Sequence, residues 1–156
     1  MKKLYIFDLD GTVSPSKSPI ESPTASLMCT LLAHTNVAII TGSSYFTIES
    51  RFLNGLPCGS SAFHHLYLLP TNGAVFYAYQ EGEFVAVYEN RLSEEEKQHI
   101  FEAFKDAMDE THFEMPPHLY GVQIEDRETQ ITFSALGQDA PLAEKELWDS
   151  DQVKRR

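Results

Sequence analysis

The chain has 156 residues, of which 42% are apolar, and its formal net charge is −11. The length fits one ordinary domain or a small core with an insertion, and the charge disfavours nucleic acid and anionic membrane as partners because like charges repel. The two cysteines, Cys29 and Cys58, predict a reduced, cytoplasmic protein without a disulfide framework. No apolar window is long enough to predict a targeting segment or a membrane span.

Strands and helices are predicted to alternate over the first part of the chain. Buried strands are predicted where apolar residues run without alternation, at residues 4–7, 37–40 and 66–69. Ser22-Pro23 predicts the start of a helix with Ser22 as its N-cap, and a second helix is expected over residues 45–53. The apolar face of the first helix is expected to contain Leu27, Met28, Leu31 and Leu32. This order of elements is typical of an open parallel sheet.

The pattern changes after Gly73, where two hairpins are expected on either side of a helix. The hairpins are predicted at residues 74–88 and 122–134. Ser93 and Glu96 have the spacing of a capping box, which predicts a helix that runs to Asp109. The buried stripe of this helix is expected to be Ile100, Phe101, Phe104 and Met108.

Together these elements predict an α/β fold with an insertion. A partial parallel core is expected over residues 1–71, and an inserted antiparallel α+β cap over residues 72–137. Residues 138–156 would start the return to the core, with a helix from Pro141. Three parallel strands would leave one side of the sheet uncovered, so we expect self-association or pairing with a complementary core fragment.

Polar side chains follow all three predicted parallel strands. Asp8 and Asp10 come after the first strand, Thr41 and Ser43 after the second, and Asn72 after the third. Because ligands of open parallel sheets bind beyond the carboxyl ends of the strands, these groups are expected to share one crevice. The sequence therefore predicts a polar site at this edge of the sheet.

The residue types in this crevice suit phosphoryl transfer. An aspartate can attack phosphorus and form an aspartyl-phosphate, and a second acid two residues away can protonate the leaving oxygen and later activate water. Gly11 permits a sharp turn whose backbone N–H groups could bind phosphoryl oxygens, and Thr41 offers a hydroxyl donor. The alternative is that Asp10-Gly11 is only a turn signal. The buried strand before the two acids favours the site.

The motifs resemble those of a known superfamily. Residues 7–12, FDLDGT, resemble the first motif of the haloacid dehalogenase-like phosphotransferases, and residues 39–42, IITG, resemble their second. Within that superfamily the likeness is greatest to the eukaryotic-type phosphomannomutases. Their pre-cap segment is similar to residues 68–75, and their cap strand with a substrate-binding arginine is similar to residues 123–127. Residues 134–137 resemble the segment that follows this strand.

This resemblance implies a site and a cofactor. Asp8 would be the nucleophile and a Mg²⁺ ligand, and Asp10 would be the general acid/base whose carbonyl also contacts the metal. The other implied site residues are Gly11, Thr41 and Gly42 for phosphate and Asn72, Arg127 and Gln138 for substrate. The expected reaction is Mg²⁺-dependent phosphoryl transfer on a small phosphorylated sugar.

Two departures from the phosphomannomutases affect the expected activity. Gln138 stands where the mutases have an arginine for the distal phosphate, and Gln cannot form that charged fork. This favours a phosphatase over a sugar-phosphate mutase, which stays the alternative. The second departure is that the family's later core strands, with a lysine and an acidic metal loop, have no counterpart up to Arg156. A catalytically incomplete binding module is therefore a further alternative.

Other polar residues have competing interpretations. His64-His65 could bind a metal, but a polar loop fits better because no third ligand has usable spacing. Arg127 fits a surface turn about as well as a ligand role, and Asn72 fits a hinge, a substrate contact or a plain Asn-Gly turn. Cys29 is expected in the core. Sheet packing is expected for Tyr77, Tyr79 and Tyr88.

Overall fold

A computed structural model describes residues 3–15, 18–148 and 150. The chain divides into two compact units, Met1–Arg91 and Leu92–Arg156, and each is described by itself. The strands of the first unit are β1 (Leu4–Asp8), β2 (Asn36–Ile40), β3 (Leu66–Leu69), β4 (Val75–Gln80) and β5 (Glu83–Glu89). Its helices are α1 (Ser22–Leu32) and α2 (Tyr45–Arg51), with short 3₁₀ helices at Leu53–Gly55, Ser60–His65 and Thr71–Gly73. The predicted α/β class is confirmed.

The five strands of the first unit form one mixed sheet in the order β1-β2-β3-β4-β5. β1, β2 and β3 are parallel, whereas β4 pairs antiparallel with both β3 and β5. The predicted parallel core is therefore present, and the hairpin after Gly73 extends it. β4 pairs with β3 as well as with β5, so the hairpin lies in the first compact unit, and the predicted cap over residues 72–137 stays a prediction.

One face of this sheet is covered and carries the core. Val37, Ile39, Leu66 and Leu68 are fully buried on β2 and β3, as the uninterrupted apolar runs predict. Met28 and Leu32 of α1 and Ile48 of α2 belong to the same core cluster. Leu27 is 71% exposed, so the predicted apolar face of α1 is wrong at that position.

β1 was predicted as a fully buried strand, and that prediction is wrong. β1 is an edge of the described sheet, and Leu4 and Ile6 are 51% and 59% exposed. Both lie on the face opposite the core cluster, beside an open apolar groove of about 320 Å³. Apolar side chains thus reveal a strand but not whether a neighbour covers it, because burial depends on chain segments elsewhere.

Two local details of α1 also differ from expectation. Ser22 is the first helical residue, and the N-cap is Glu21, which makes no side-chain capping bond. The prediction of two reduced cysteines is wrong, because Cys29 of α1 and Cys58 form a disulfide with a Cα–Cα distance of 5.5 Å. This bridge ties α1 to the segment that leads into the 3₁₀ helix Ser60–His65.

The second unit contains α3 (Glu94–Glu110), the antiparallel strands β6 (Ile124–Asp126) and β7 (Ile131–Phe133), and α4 (Leu142–Trp148). The predicted capping box is confirmed, since Ser93 Oγ accepts from the Glu96 N–H and Glu96 accepts from the Ser93 N–H. Phe101 is 38% exposed, whereas Lys97 is buried. Among the described residues, none of the helices is long and apolar enough to cross a membrane.

Candidate active site

The loop after β1 presents two carboxylates at the sheet edge. Asp8 ends β1 in register with Ile40 of β2 and is exposed. Leu9 is fully buried, and its carbonyl accepts the N–H groups of Val13 and Ser14 at 3.0 Å, which closes the loop. Gly11 makes the turn at φ +78°, where a side chain would be strained. The loop therefore holds Asp8 and Asp10 on either side of an anchored apolar residue.

The end of β2 supplies hydroxyl groups to the same place. Thr41 is only 4% exposed, and its Oγ1 accepts the N–H of Ser43 at 3.2 Å. Ser43 Oγ donates to Asp10 Oδ2 at 3.4 Å. This contact joins the ends of β1 and β2, so that Asp10 and the Thr41 loop form one polar cluster.

The end of β3 completes the edge through a strained turn. Thr71, Asn72 and Gly73 have φ values of 46°, 56° and 85°, a left-handed run that costs a β-branched threonine most. Backbone bonds from the Thr71 N–H to the Ser43 carbonyl (3.0 Å) and from the Asn72 N–H to the Thr41 carbonyl (2.9 Å) hold it in place.

The same turn places the Asn72 side chain against Gly42. A Cβ on Gly42 would lie 3.6 Å from Asn72 Oδ1. Asn72 is thus part of the crevice wall, although its role toward substrate stays a prediction.

Arg51 is a site residue that the sequence analysis missed. It is the last residue of α2, and its Nη1 lies 3.9 Å from Asp10 Oδ1, with both side chains about 30% exposed. Arg51 is the only basic residue of α2, but nothing in the sequence shows that the end of this helix comes near Asp10. The structure therefore adds a cation beside the predicted acid.

The chemical types of these side chains suit the binding of a hard cation and a phosphoryl group. Carboxylate and carbonyl oxygens from Asp8 and Asp10 are ligands that Mg²⁺ prefers. Within the described residues, however, there is no group of three or more His, Cys, Asp or Glu side chains that could hold a metal. The N–H of Gly11 donates to the Ser14 carbonyl at 2.7 Å, so its predicted use toward phosphate would require that bond to open.

Comparison with known proteins places this geometry in a family. Residues 5–152 match a model of haloacid dehalogenase-like hydrolases. The chain belongs to the haloacid dehalogenase-like hydrolase family. The match is to the family in general. The particular likeness to phosphomannomutases stays a prediction. A search of curated proteins finds no match.

Solved structures agree with this assignment at the level of fold. A Plasmodium falciparum IMP-nucleotidase aligns with a TM-score of 0.59 and 21% identity over 83% of this chain and 38% of its own. An IMP-bound, N-terminally truncated form of that nucleotidase aligns with a TM-score of 0.58 and 20% identity over 83% and 39% of the two chains. This haloacid dehalogenase-like chain therefore spans about two-fifths of the length of the solved structures it matches.

The second unit of this haloacid dehalogenase-like hydrolase holds the other two predicted substrate residues. Arg127 donates from Nε to Glu125 Oε2 at 2.9 Å and from Nη2 to Gln138 Oε1 at 3.5 Å. Its side chain is 17% exposed, so it is an ion-paired, partly buried group rather than a solvated turn residue. The structure thus places Arg127 and Gln138 within hydrogen-bond distance, and their role toward substrate stays a prediction.

A separate ion-pair cluster in the second unit has a structural role. Lys97 Nζ lies 3.0 Å from Asp126 and 3.1 Å from both Glu94 and Glu128. Hydrogen bonds that Lys97 donates to Asp126, Glu128 and Glu94 raise the pKa of Lys97 above its ordinary value. For Asp126, burial would raise the pKa, but the Glu128 N–H and Lys97 together hold it below its usual range. The cluster ties α3 to the β6–β7 turn.

Proposed function

We propose that the crevice at the carboxyl ends of β1–β3 hydrolyses the phosphate monoester of a small phosphorylated sugar. The observation that carries the proposal is the placement of Asp8 beside the end of β2, with Asp10 bound by Ser43 and near Arg51. A nucleophile and an acid two residues apart, next to hydroxyl donors, are what a two-step phosphoryl transfer requires.

Each carboxylate has a separate task in this reaction. A carboxylate oxygen of Asp8 attacks phosphorus, and the bond to the leaving oxygen breaks as Asp10 gives that oxygen a proton. Asp10 then takes a proton from water, which attacks the aspartyl-phosphate and releases inorganic phosphate. Both side chains return to their starting state, so no other reactant is consumed.

The surrounding groups would position the phosphate and hold its charge. The Asp8 carboxylate and Asp10 carbonyl would hold Mg²⁺, which supplies charge neutralisation when it is bound. Thr41 would donate its hydroxyl to a phosphoryl oxygen while its Oγ1 continues to accept the Ser43 N–H. Arg51 would lie beside Asp10, where its attraction across 3.9 Å between partly exposed groups is modest.

The substrate class depends on Arg127 and Gln138. Arg127 already forms an ion pair with Glu125, and Gln138 is neutral. The pair therefore suits a sugar hydroxyl better than a second phosphate. A sugar-phosphate mutase remains the alternative. For that activity the protein would also have to bind the distal phosphate of the substrate. The structural neighbours include an IMP-bound nucleotidase, so a nucleoside monophosphate belongs in the substrate panel with a hexose phosphate.

The test is hydrolysis of an aryl phosphate with and without Mg²⁺. Hydrolysis that needs Mg²⁺ and falls by about a thousandfold or more in Asp8→Asn supports the proposal, because the nucleophile is lost. Asp106→Asn, an exposed aspartate of α3, is the matched control and should keep full activity. Activity unchanged in Asp8→Asn would remove the assignment of the nucleophile.

A second candidate is a binding module without turnover. It is favoured by the small number of acidic ligands: the described residues contain no group of three that could hold a metal. Calorimetry with Mg²⁺ and a phosphate mimic separates the candidates. Binding without hydrolysis supports the module, whereas binding with turnover supports the phosphatase.

A further inference from the structure

A cavity lies at the opposite end of the same parallel strands. It has a volume of about 600 Å³, and its walls come from residues before and at the start of β1, β2 and β3 and from Leu31 of α1. Lys3 precedes β1, His34 precedes β2, and His64 and His65 end the 3₁₀ helix before β3. Because parallel strands start at one edge of a sheet, these residues from distant parts of the sequence meet there. We call this the amino-end cavity.

The charge of the amino-end cavity is unlike that of the chain. The sequence has 23 acidic and 12 basic residues, yet none of the described residues that line this cavity is Asp or Glu. Its ionisable groups are Lys3, His34, His64 and His65, with the phenols of Tyr5 and Tyr67. Three of the six histidines in the chain therefore face one cavity. A lining with a lysine, three imidazole rings and no carboxylate favours anions more than the acidic total of the chain suggests.

The side chains are both accessible and partly organised. Lys3, His34, His64 and His65 are exposed, so their nitrogens can reach a ligand. His65 Nδ1 lies 2.9 Å from Asn36 Oδ1, and the ring of His64 packs edge-on against Tyr79 at 5.2 Å. Thr35 Oγ1 donates to the Lys3 carbonyl at 2.7 Å, which ties the start of β1 to the turn before β2.

The bond between His65 and Asn36 determines which form of His65 can bind an anion. When Nδ1–H donates to the Asn36 oxygen, the neutral ring has only a lone pair at Nε2. Protonation adds an N–H at Nε2 and leaves the Asn36 bond in place. The imidazolium can then make a charge-assisted hydrogen bond to an anion.

We propose that the amino-end cavity binds a small anion that carries several phosphate or carboxylate charges. Lys3 supplies a permanent charge, and His34, His64 and His65 supply ring nitrogens that can donate hydrogen bonds to the anion. The size of the cavity fits a metabolite rather than a macromolecule. The site is separate from the catalytic crevice and does not depend on its chemistry.

The test uses inorganic pyrophosphate and citrate as probes, without Mg²⁺ so that the catalytic crevice is not engaged. Calorimetry near pH 6 should show binding of at least one probe. Imidazole NMR should show shifts for His34, His64 and His65. Binding of pyrophosphate alone assigns phosphate chemistry, and binding of both probes assigns any compact polyanion.

Two variants separate this site from the rest of the molecule. The triple variant His34→Gln, His64→Gln, His65→Gln should lose at least about tenfold in affinity near pH 6, since three imidazole partners of the anion are removed. The matched control replaces the other three histidines, His99, His112 and His118, with Gln and should bind as before. Asp8→Asn should also bind as before. The proposal is overturned if neither probe binds near pH 6, or if binding survives the first triple variant.

Discussion

The two ends of the three parallel strands differ in charge. The carboxyl end presents Asp8 and Asp10, and its loops are joined by backbone bonds such as that from the Asn72 N–H to the Thr41 carbonyl. The amino end presents Lys3 and three histidines around an open cavity. The net charge of the whole chain, −11, does not predict the local charge at either end. What a protein binds depends on where its charges lie, so the whole-chain charge excludes partners only on average.

The largest effect that would separate the two ends is expected for Asp10→Asn. The amide cannot protonate the leaving oxygen, so hydrolysis of an aryl phosphate should slow by about 10²–10⁴-fold. Binding of pyrophosphate near pH 6 without Mg²⁺ should stay within about twofold, because exposed charges beyond a Debye length are screened. Steady-state kinetics and calorimetry on the same preparation measure both. Equal losses at both ends would contradict the separation.

The carboxyl end could be predicted from the sequence because its signal is local. Each polar group follows an apolar run, and parallel pairing brings such ends together. The capping box of Ser93 and Glu96 was predictable for the same reason. Both signals depend only on neighbours in the sequence.

The rest depends on contacts between distant segments. The approach of Arg51 to Asp10, the Cys29–Cys58 bridge and the meeting of Lys3 with His34 and His65 need the folded chain. The exposure of β1 is also a tertiary property, since the same apolar run would be buried beside another strand. Local sequence patterns therefore predicted the strands and helices better than they predicted which residues are exposed or meet in the fold.

The disulfide offers a second way to distinguish the ends. It closes a loop between residues 29 positions apart, so the double variant Cys29→Ser, Cys58→Ser should lower the free energy of unfolding by about 3.5 kcal/mol. Urea unfolding with and without reductant measures this. Cys58 leads into the 3₁₀ helix that carries His64 and His65. Loss of the disulfide should therefore loosen this helix and weaken pyrophosphate binding. If the urea midpoint of the wild-type protein is the same with and without reductant, the bridge does not form.

A smaller effect is expected at the carboxyl end for Thr41→Val. This change keeps the shape but leaves the Ser43 N–H without its 3.2 Å acceptor, which should cost about 1–3 kcal/mol of unfolding free energy. Thr30→Val is the control, because its hydroxyl bond to the Ser26 carbonyl is exposed and its loss should cost about 0.5 kcal/mol or less. Equal losses in the two variants would show that the Thr41 loop is not held as described.

The smallest effect concerns the edge strand that connects the two ends. Antiparallel pairing of β1 with a second copy would place the amino end of one chain beside the carboxyl end of the other. We expect such association at high concentration, and Ile6→Lys should weaken it by about tenfold because it puts a charge on the exposed edge. Val87→Lys, on the opposite edge strand β5, is the control. Sedimentation showing a monomer at every concentration would remove this prediction.

Fluorine NMR with beryllium fluoride tests the central claim most directly, because this complex mimics an aspartyl-phosphate and needs no turnover. The account predicts a bound signal that requires Mg²⁺, disappears in Asp8→Asn and persists in the control Asp106→Asn. A signal that persists in Asp8→Asn, or none in the wild-type chain with Mg²⁺, would contradict the assignment of Asp8 as the phosphate acceptor.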